Sequence, residues 1–462
     1  MKYVLPEKLV SVRGSLNAKT LLKKKEDQIL LTESDLAVFE AGGHIVLDFG
    51  KEYAGGIRIL THFKAGRVRI RFGESLTEAN SDIGVSGSTN DHAIRDFETP
   101  LAFLSDATFG NTGFRFVRID FYEETEVKSI YAATVSYNGK PIYEYKGDKE
   151  IENIFLTAKR TVDLCASGKY VWDGIKRDRL VWFGDLHPET IALSSVYGKC
   201  KNVENSLNLA RKTTPVGEWM NTFPSYSMWW ITTVYDYMRL SGRTEFAKKQ
   251  LPYMKRLINE FDKNVSDGGE MLFDSYFTDW QTHDTPQEKE GVRAIFIIAM
   301  NSAKKLFGFF GEDTKIVDRV LGKLYKKEIN TGDKKQIIAL KYLATGKLTE
   351  SDRKTLLKGG AKGISTFMSY YILTAIASFD KKAAIDIMKE YYGAMINKGA
   401  TTFWEDFDIE WVKNSCRIDE TPTDGEKDIH ADFGAYCYKG LRHSLCHGWS
   451  AGVIAFIKEN LS

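Results

Sequence analysis

The sequence predicts an N-terminal antiparallel β-sandwich over residues 1–140, followed by an (α/α)6 helical barrel over residues 147–462. Three observations predict it. Short apolar/polar alternations fill the first third of the chain. Near residue 147 the period of the apolar positions changes from about 2 to about 3.6, and it stays there. Within the helical part, segments apolar nearly all round alternate with amphipathic ones, as an inner and an outer ring of helices require.

The strand candidates are HIVLDF (44–49), GIRIL (56–60), RVRIRF (67–72), FRFVRIDFY (114–122) and IYAATVSY (130–137). Val68, Ile70 and Phe72 alternate with Arg67, Arg69 and Arg71, the pattern of a half-buried strand. EYAGG, KAGR and GNTG supply turn chemistry between them. The polar stretch 78–96 reads as a long loop, a class of segment that often carries function. Asp148 is the expected N-cap of the first long helix, which puts Ile151, Ile154, Phe155, Ala158, Val162 and Cys165 on one face. Segments 293–300 and 366–379 read as inner helices and 381–392 as an outer one. Roughly ten to thirteen helices fit the remaining length. Segments 171–190, 214–228, 274–292 and 399–447, rich in Trp, Asp, Gly, Pro and Thr, read as rim loops around a pocket. Periodicity leaves a helical solenoid open as the alternative to a closed barrel.

The chain has 462 residues, 43% hydrophobic and 27% charged, an ordinary globular composition. A net charge of +2 gives no electrostatic basis for a nucleic-acid or membrane-surface partner. No apolar run reaches spanning length and the N-terminus has no apolar leader segment. The five cysteines, Cys165, Cys200, Cys416, Cys437 and Cys446, are scattered and read as reduced thiols of a cytoplasmic protein. No metal site and no cofactor are expected; Cys446 beside His447 does not make a ligand set.

Three stretches concentrate chemistry. DGIKRDRLVWFGD (173–185) brings Asp173, Asp178 and Asp185 around Trp182. GATTFWEDFDIEW (399–411) carries Glu405 between Trp404 and Trp411, and SLCHGWSAG (444–452) sets His447 beside Trp449. Paired carboxyl groups with aromatic walls are what glycosidic bond cleavage needs: one acid for the leaving oxygen, one carboxylate for water or the sugar. Plainer roles remain open on spacing alone. Asp173 fits a helix cap, Arg177 and Arg179 fit structural ion pairs with Asp178 and Asp185, Trp182 fits a core, and His447 fits a buried structural histidine.

DGIKRDRLVWFGD resembles the Asp-x-x-x-Arg-(Glu/Asp)-Arg-x-x-Trp-x-Gly-Asp signature of glycoside hydrolase family 78, the α-L-rhamnosidases. GATTFWE resembles that family's Ala-Thr-Thr-x-Trp-Glu motif and SLCHGWSAG its late histidine motif, in the same order. FPSYSMWWITTVYDY (223–237) and YFTDWQT (276–282) fall where the family has pocket tryptophans. FGKEYAGGIRI and GFRFVRIDF look like the strands of its sandwich, so the resemblance covers most of residues 30–462. The resemblance implies inverting release of terminal α-L-rhamnose, with a small rhamnoside as the partner. It implies Asp178 as general acid, Glu405 as general base, and Asp173 and Asp185 on the sugar hydroxyls. It implies Trp182, Trp229 (or Trp230) and Trp280 as pocket aromatics, His447 near the base, and Arg177 supporting the carboxylates. At least one of Arg177 and Arg179 is expected to engage Asp173 or Asp185. Two features depart from the pattern: Asp178 stands where Glu is usual, and about forty residues separate Glu405 from His447. The alternatives are a glycosidase for another deoxy sugar or a uronic-acid-bearing oligosaccharide, and a non-catalytic carbohydrate-binding relative.

Overall fold

The computed structural model describes residues 1–434 and 438–462; Cys437 lies outside them. Seven strands precede the helical part: β1 (Lys2–Val4), β2 (Lys8–Leu16), β3 (Ala37–Thr61), β4 (Arg67–Gly73), β5 (Asp96–Pro100), β6 (Asp106–Phe121) and β7 (Thr125–Val135). They form one hydrogen-bonded sheet in the order β1-β7-β3-β6-β4-β5, with β2 on β3. All seven strands thus belong to one continuous sheet, and the reason lies in β3 and β6. These two long strands pair antiparallel from His44 opposite Asp120 to Leu60 opposite Asp106. The register breaks between Asp48 and Tyr53 and again between Gly55 and Ile57, which lets the ribbon bend. One arm pairs with β2 and β4; β7 runs parallel to β3 and pairs with the other arm and with Ala37–Phe39 at the start of the first. Ile45 and Leu47 of the first arm share a core with Ile57 and Ile59 of the second.

The bend explains why sequence turns became strand. EYAGG lies inside β3, where Gly55 holds φ 143° and a Cβ would fall 2.1 Å from the Ala133 carbonyl oxygen. GNTG lies inside β6. The glycines are there for close backbone approach rather than reversal. The 78–96 stretch starts within a short helix, α1 (Leu76–Asn80), capped by Ser75, and ends where β5 begins.

The helical part holds α2 (Lys149–Cys165), α3 (Leu186–Tyr197), α4 (Lys201–Thr213), α5 (Pro224–Ser241), α6 (Thr244–Lys248), α7 (Leu251–Lys263), α8 (Pro286–Phe310), α9 (Lys315–Leu324), α10 (Lys335–Thr345), α11 (Glu350–Leu357), α12 (Ser369–Ala377), α13 (Lys381–Asn397) and α14 (Val453–Leu461). The Asp148 carboxylate accepts from the Glu150 and Ile151 amides, so α2 starts where the sequence sets its cap. α3 packs on α5, α5 on α8, α8 on α10, α10 on α12, α12 on α14 and α14 on α3, which closes a ring of six. Every residue of α3 is buried, as an inner position demands. α4, α9, α11 and α13 pack against members of that ring from other sides. Three of the expected rim loops end in helix: α3, α5 and α8 begin inside 171–190, 214–228 and 274–292.

Sheet and helices are tied by buried charge. Arg115 of β6 donates to both oxygens of Asp48, at 2.8 and 2.9 Å, and to the Gly399 carbonyl at 3.3 Å. Lys176 Nζ lies 3.1 Å from Glu74 and 3.1 Å from Glu78, all three buried. An apolar seam of Ala54, Leu164, Cys165, Ile175 and Cys446 seals the junction. Cys165, Cys200, Cys416 and Cys446 are buried free thiols. Among the described residues no helix is long and apolar enough to cross a membrane.

Candidate active site

Three chain segments build one hollow at the N-terminal end of α3. Segment 173–185 folds back on itself: the Asp173 amide donates to the Leu180 carbonyl at 3.1 Å, and the Asp173 carboxylate accepts from the Leu180 amide at 2.9 Å. Asp178 and Arg179 take left-handed φ values of 52° and 53° at the tip, a region that Asp enters more readily than most non-glycine residues and Arg does not favour. Segments 403–405 and 444–447 run side by side. The Glu405 amide donates to Ser444 and the His447 amide to Phe403, each at 2.9 Å. Gly174 bridges His447, and the Gly448 amide donates to the Asp173 carbonyl at 2.6 Å, which joins all three segments.

The result is a cavity of about 210 Å³. Asp173, Asp178, Asp185, Glu405, Arg177 and His447 line it together with Trp182, Trp280 and Trp449. Trp229 does not line it. That side chain is 1% exposed and stacks on His187 at 4.9 Å, with Tyr371 beside it at 5.3 Å. Trp230 is buried as well and donates to the Leu207 carbonyl. Both sit on α5, inside the helical core, because that helix begins at Pro224. Phe223, Tyr226, Phe277 and Tyr438 line the cavity as well, none of which the sequence reading selected. From segment 276–282 the expected Trp280 does line the cavity, whereas from segment 223–237 Phe223 and Tyr226 line it in place of Trp229 or Trp230.

Arg177 is the hub. Its Nη1 donates to Asp178 Oδ1 and its Nη2 to Glu405 Oε1. The guanidinium carbon also lies 3.6 Å from the centre of the Tyr438 ring. Arg179 turns away, donating to the Asn111 carbonyl at 2.7 Å and stacking over Trp172. Among the described residues neither arginine hydrogen-bonds Asp173 or Asp185, although the Arg177 charge acts on both from a distance and favours their ionised forms. The geometry of the tip explains this, since the left-handed turn at Asp178 and Arg179 sends neighbouring side chains in different directions. Asp178 Oδ2 accepts from Trp182 Nε1 at 3.1 Å, and His92 Nε2 lies 3.2 Å from Asp178 Oδ1. Glu405 Oε2 accepts from the Ser444 amide at 2.9 Å.

Behind these lie three carboxyl groups held towards the protonated form. Burial, then Asp185 and Asp178, push Asp173 well above the usual carboxylate range. Burial, then Asp178 and Glu405, do the same to Asp185. Glu189, one turn beyond Asp185 on α3, is raised by burial, then by Asp185 and Asp173. The i, i+4 spacing of Asp185 and Glu189 was the available sequence signal for it. Burial pulls His447 down to about 4. Its Nε2 lies 3.6 Å from Asp173, 3.9 Å from Glu405 and 4.0 Å from Asp185, beyond hydrogen-bond reach. The imidazole is therefore a neutral neighbour of these carboxyls and not an ion-pair partner. Asp173 Oδ2 and His447 Nδ1 are buried with no hydrogen-bond partner among the described residues. Buried polar atoms of this kind mark places where a hydroxyl-bearing ligand has donors and acceptors to meet.

Two groups of ligand-type side chains converge among the described residues: Glu74, Glu78 and His430, and the partly exposed His283, Asp284 and Glu288. In the first, the Lys176 ammonium already sits against both glutamates.

No protein-family model and no curated protein matches the chain. Solved structures do. A rhamnosidase from Klebsiella oxytoca with rhamnose bound superimposes with TM-score 0.77 at 18% identity, over 99% of this chain and 95% of that one. A family 78 rhamnosidase of Bacillus sp. GL1 gives 0.73 at 18%, over 95% of this chain and 48% of that one. The α-L-rhamnosidase of Aspergillus terreus gives 0.65 at 16%, over 92% and 53%. The chain thus spans about half the length of the latter two. Its fold is that of family 78 α-L-rhamnosidases.

Proposed function

We propose that the chain is a glycoside hydrolase that releases terminal α-L-rhamnose from glycosides or oligosaccharides by a single displacement. The observation that carries this reading is Arg177 joining Asp178 and Glu405 at one sugar-sized hollow. Two carboxyl groups on one cavity, with aromatic walls, are the minimum for acetal cleavage. The rhamnose held by a structural relative supports the choice of sugar. The closed ring of six helices supports reading residues 147–462 as an (α/α)6 barrel domain, with 1–140 as the β-domain before it. Buried free thiols fit a reducing compartment such as the cytoplasm.

In this mechanism the rhamnose ring lies against Trp182 and Trp280. Asp173 and Asp185, carrying protons, donate to sugar hydroxyls as well as accept from them. His447, neutral, has a ring nitrogen for another hydroxyl. The glycosidic oxygen takes the place of one present partner of Asp178, whose proton passes to it as the C1–O bond breaks. Glu405 takes a proton from water, and that water adds to C1 on the opposite face. Inversion asks for carboxyl groups roughly 6.5–9.5 Å apart, enough for a water between them.

The test is rhamnose release from a natural rhamnosyl disaccharide. Asp178→Asn and Glu405→Gln should each lower turnover by about 10²–10⁴-fold while still binding rhamnose by calorimetry. Near-full turnover by Asp178→Asn removes the acid assignment. Rhamnose binding with no release by the wild-type protein marks a carbohydrate-binding relative instead.

A further inference from the structure

We propose that the open groove between residues 90–97 of the sheet region and Arg179 is the leaving-group subsite, and that it takes an aryl aglycone. The inference rests on the rhamnosidase reading above. The groove holds about 600 Å³ and is lined by Asn90, His92, Ile94, Phe97, Asn111 and Arg179, with Ala93 and Gly110. It starts where the catalytic hollow ends: His92 Nε2 is 3.2 Å from Asp178 Oδ1, and Arg179 is the next residue after Asp178.

Direction of cleavage selects this groove. The acid faces the glycosidic oxygen, while the base sits on the other face of the sugar. Whatever lies beyond that oxygen must leave on the Asp178 side, away from Glu405. His92 and Arg179 form that side. The groove is also a built feature. Arg179 is fixed by the Asn111 carbonyl at 2.7 Å and by the Trp172 ring at 4.8 Å. The 90–97 stretch is anchored to the helical part where Arg442 donates to Asp91 at 2.8 Å.

Its chemistry differs from that of the sugar hollow. Among the described residues no carboxylate lines the groove, whereas Asp173, Asp178, Asp185 and Glu405 line the hollow. A sugar ring is gripped through its hydroxyls, and carboxylates are the groups that grip them here. Ala93, Ile94 and Phe97 instead make an apolar floor, with two amides, an imidazole and a guanidinium around it. Ile94 is 55% exposed, an apolar side chain that a flat ring would cover. Donors at the rim meet phenolic oxygens. The polar 78–96 stretch singled out from the sequence thereby gains a role.

The experiment compares wild type, Ile94→Glu and Phe103→Ser on 4-methylumbelliferyl α-L-rhamnoside, on a rhamnosyl-glucose disaccharide, and for binding of free rhamnose. Ile94 and Phe103 are both exposed, so neither change threatens folding. Ile94→Glu should raise the KM for the aryl rhamnoside about tenfold and leave rhamnose affinity unchanged. Phe103→Ser, outside the groove, should change neither. An unchanged aryl KM in Ile94→Glu overturns the subsite. An equal rise for the disaccharide overturns the aryl class. If the wild type neither binds rhamnose nor cleaves a rhamnoside, the rhamnosidase reading fails and the subsite with it. If it does both while Ile94→Glu is silent, the subsite alone fails.

Discussion

Arg177 Nη2 donates to Glu405 Oε1 across 228 positions of sequence, while Nη1 of the same guanidinium donates to Asp178. One planar cation thus orients the two carboxyl groups proposed to react, with the Tyr438 ring stacked on it. Arg177→Gln keeps a polar side chain but loses the fork. Misplacing either carboxyl by about 1 Å should cost about 10²-fold in kcat with little change in KM. Steady-state kinetics on an aryl rhamnoside check this; a KM effect alone would make Arg177 a sugar ligand.

His447 is predicted to stay neutral down to about pH 4. The unfolded chain takes a proton on this imidazole below about pH 6.5, the folded chain only near 4, so the residue's contribution to stability falls as pH drops through that window. The shift corresponds to about 3 kcal/mol at most. Denaturant unfolding of wild type and His447→Gln from pH 7 to pH 4 should show the wild type losing ground to the variant. A constant difference would contradict the burial account.

Asp185 has the opposite sign. Its folded-state pKa lies above the unfolded value, so the wild type loses stability as pH rises past the unfolded carboxylate range. Asp185→Asn, which cannot ionise, should gain in Tm relative to wild type as pH is raised, and should bind rhamnose more weakly. Thermal unfolding at a series of pH values, with calorimetry of rhamnose binding, separates the two effects.

Arg115→Ala leaves Asp48, 1% exposed, without its bidentate partner. Such a change should destabilise by about 3–5 kcal/mol. It also removes the donor to Gly399, at the start of the segment that carries Glu405. Chemical denaturation measures the loss.

These residues show what could be read in advance. The Asp148 cap, the α2 face and the nearly all-round apolar α12 follow from local pattern, and local pattern is legible in sequence. Asp173, Asp178, Asp185, Glu405 and His447, which line one hollow, were singled out by the resemblance of their three motifs to a known family and not by local spacing. The single sheet was not legible, because a bulged, bent strand and two strands joined by a turn share the same glycines, as Gly55 and Gly56 show. Trp229 went to the core because its helix begins five residues earlier, and helix boundaries are the weakest part of any pattern reading. The approach of His92 to Asp178, the Tyr438 ring on Arg177 and the Arg177–Glu405 contact depend on long-range packing that no local spacing encodes.

The central claim is a single displacement shared by Asp178 and Glu405. Proton NMR of the first minutes of hydrolysis of an α-L-rhamnoside tests it most directly. The account predicts that β-L-rhamnose appears first and then mutarotates. Initial release of α-L-rhamnose would contradict it.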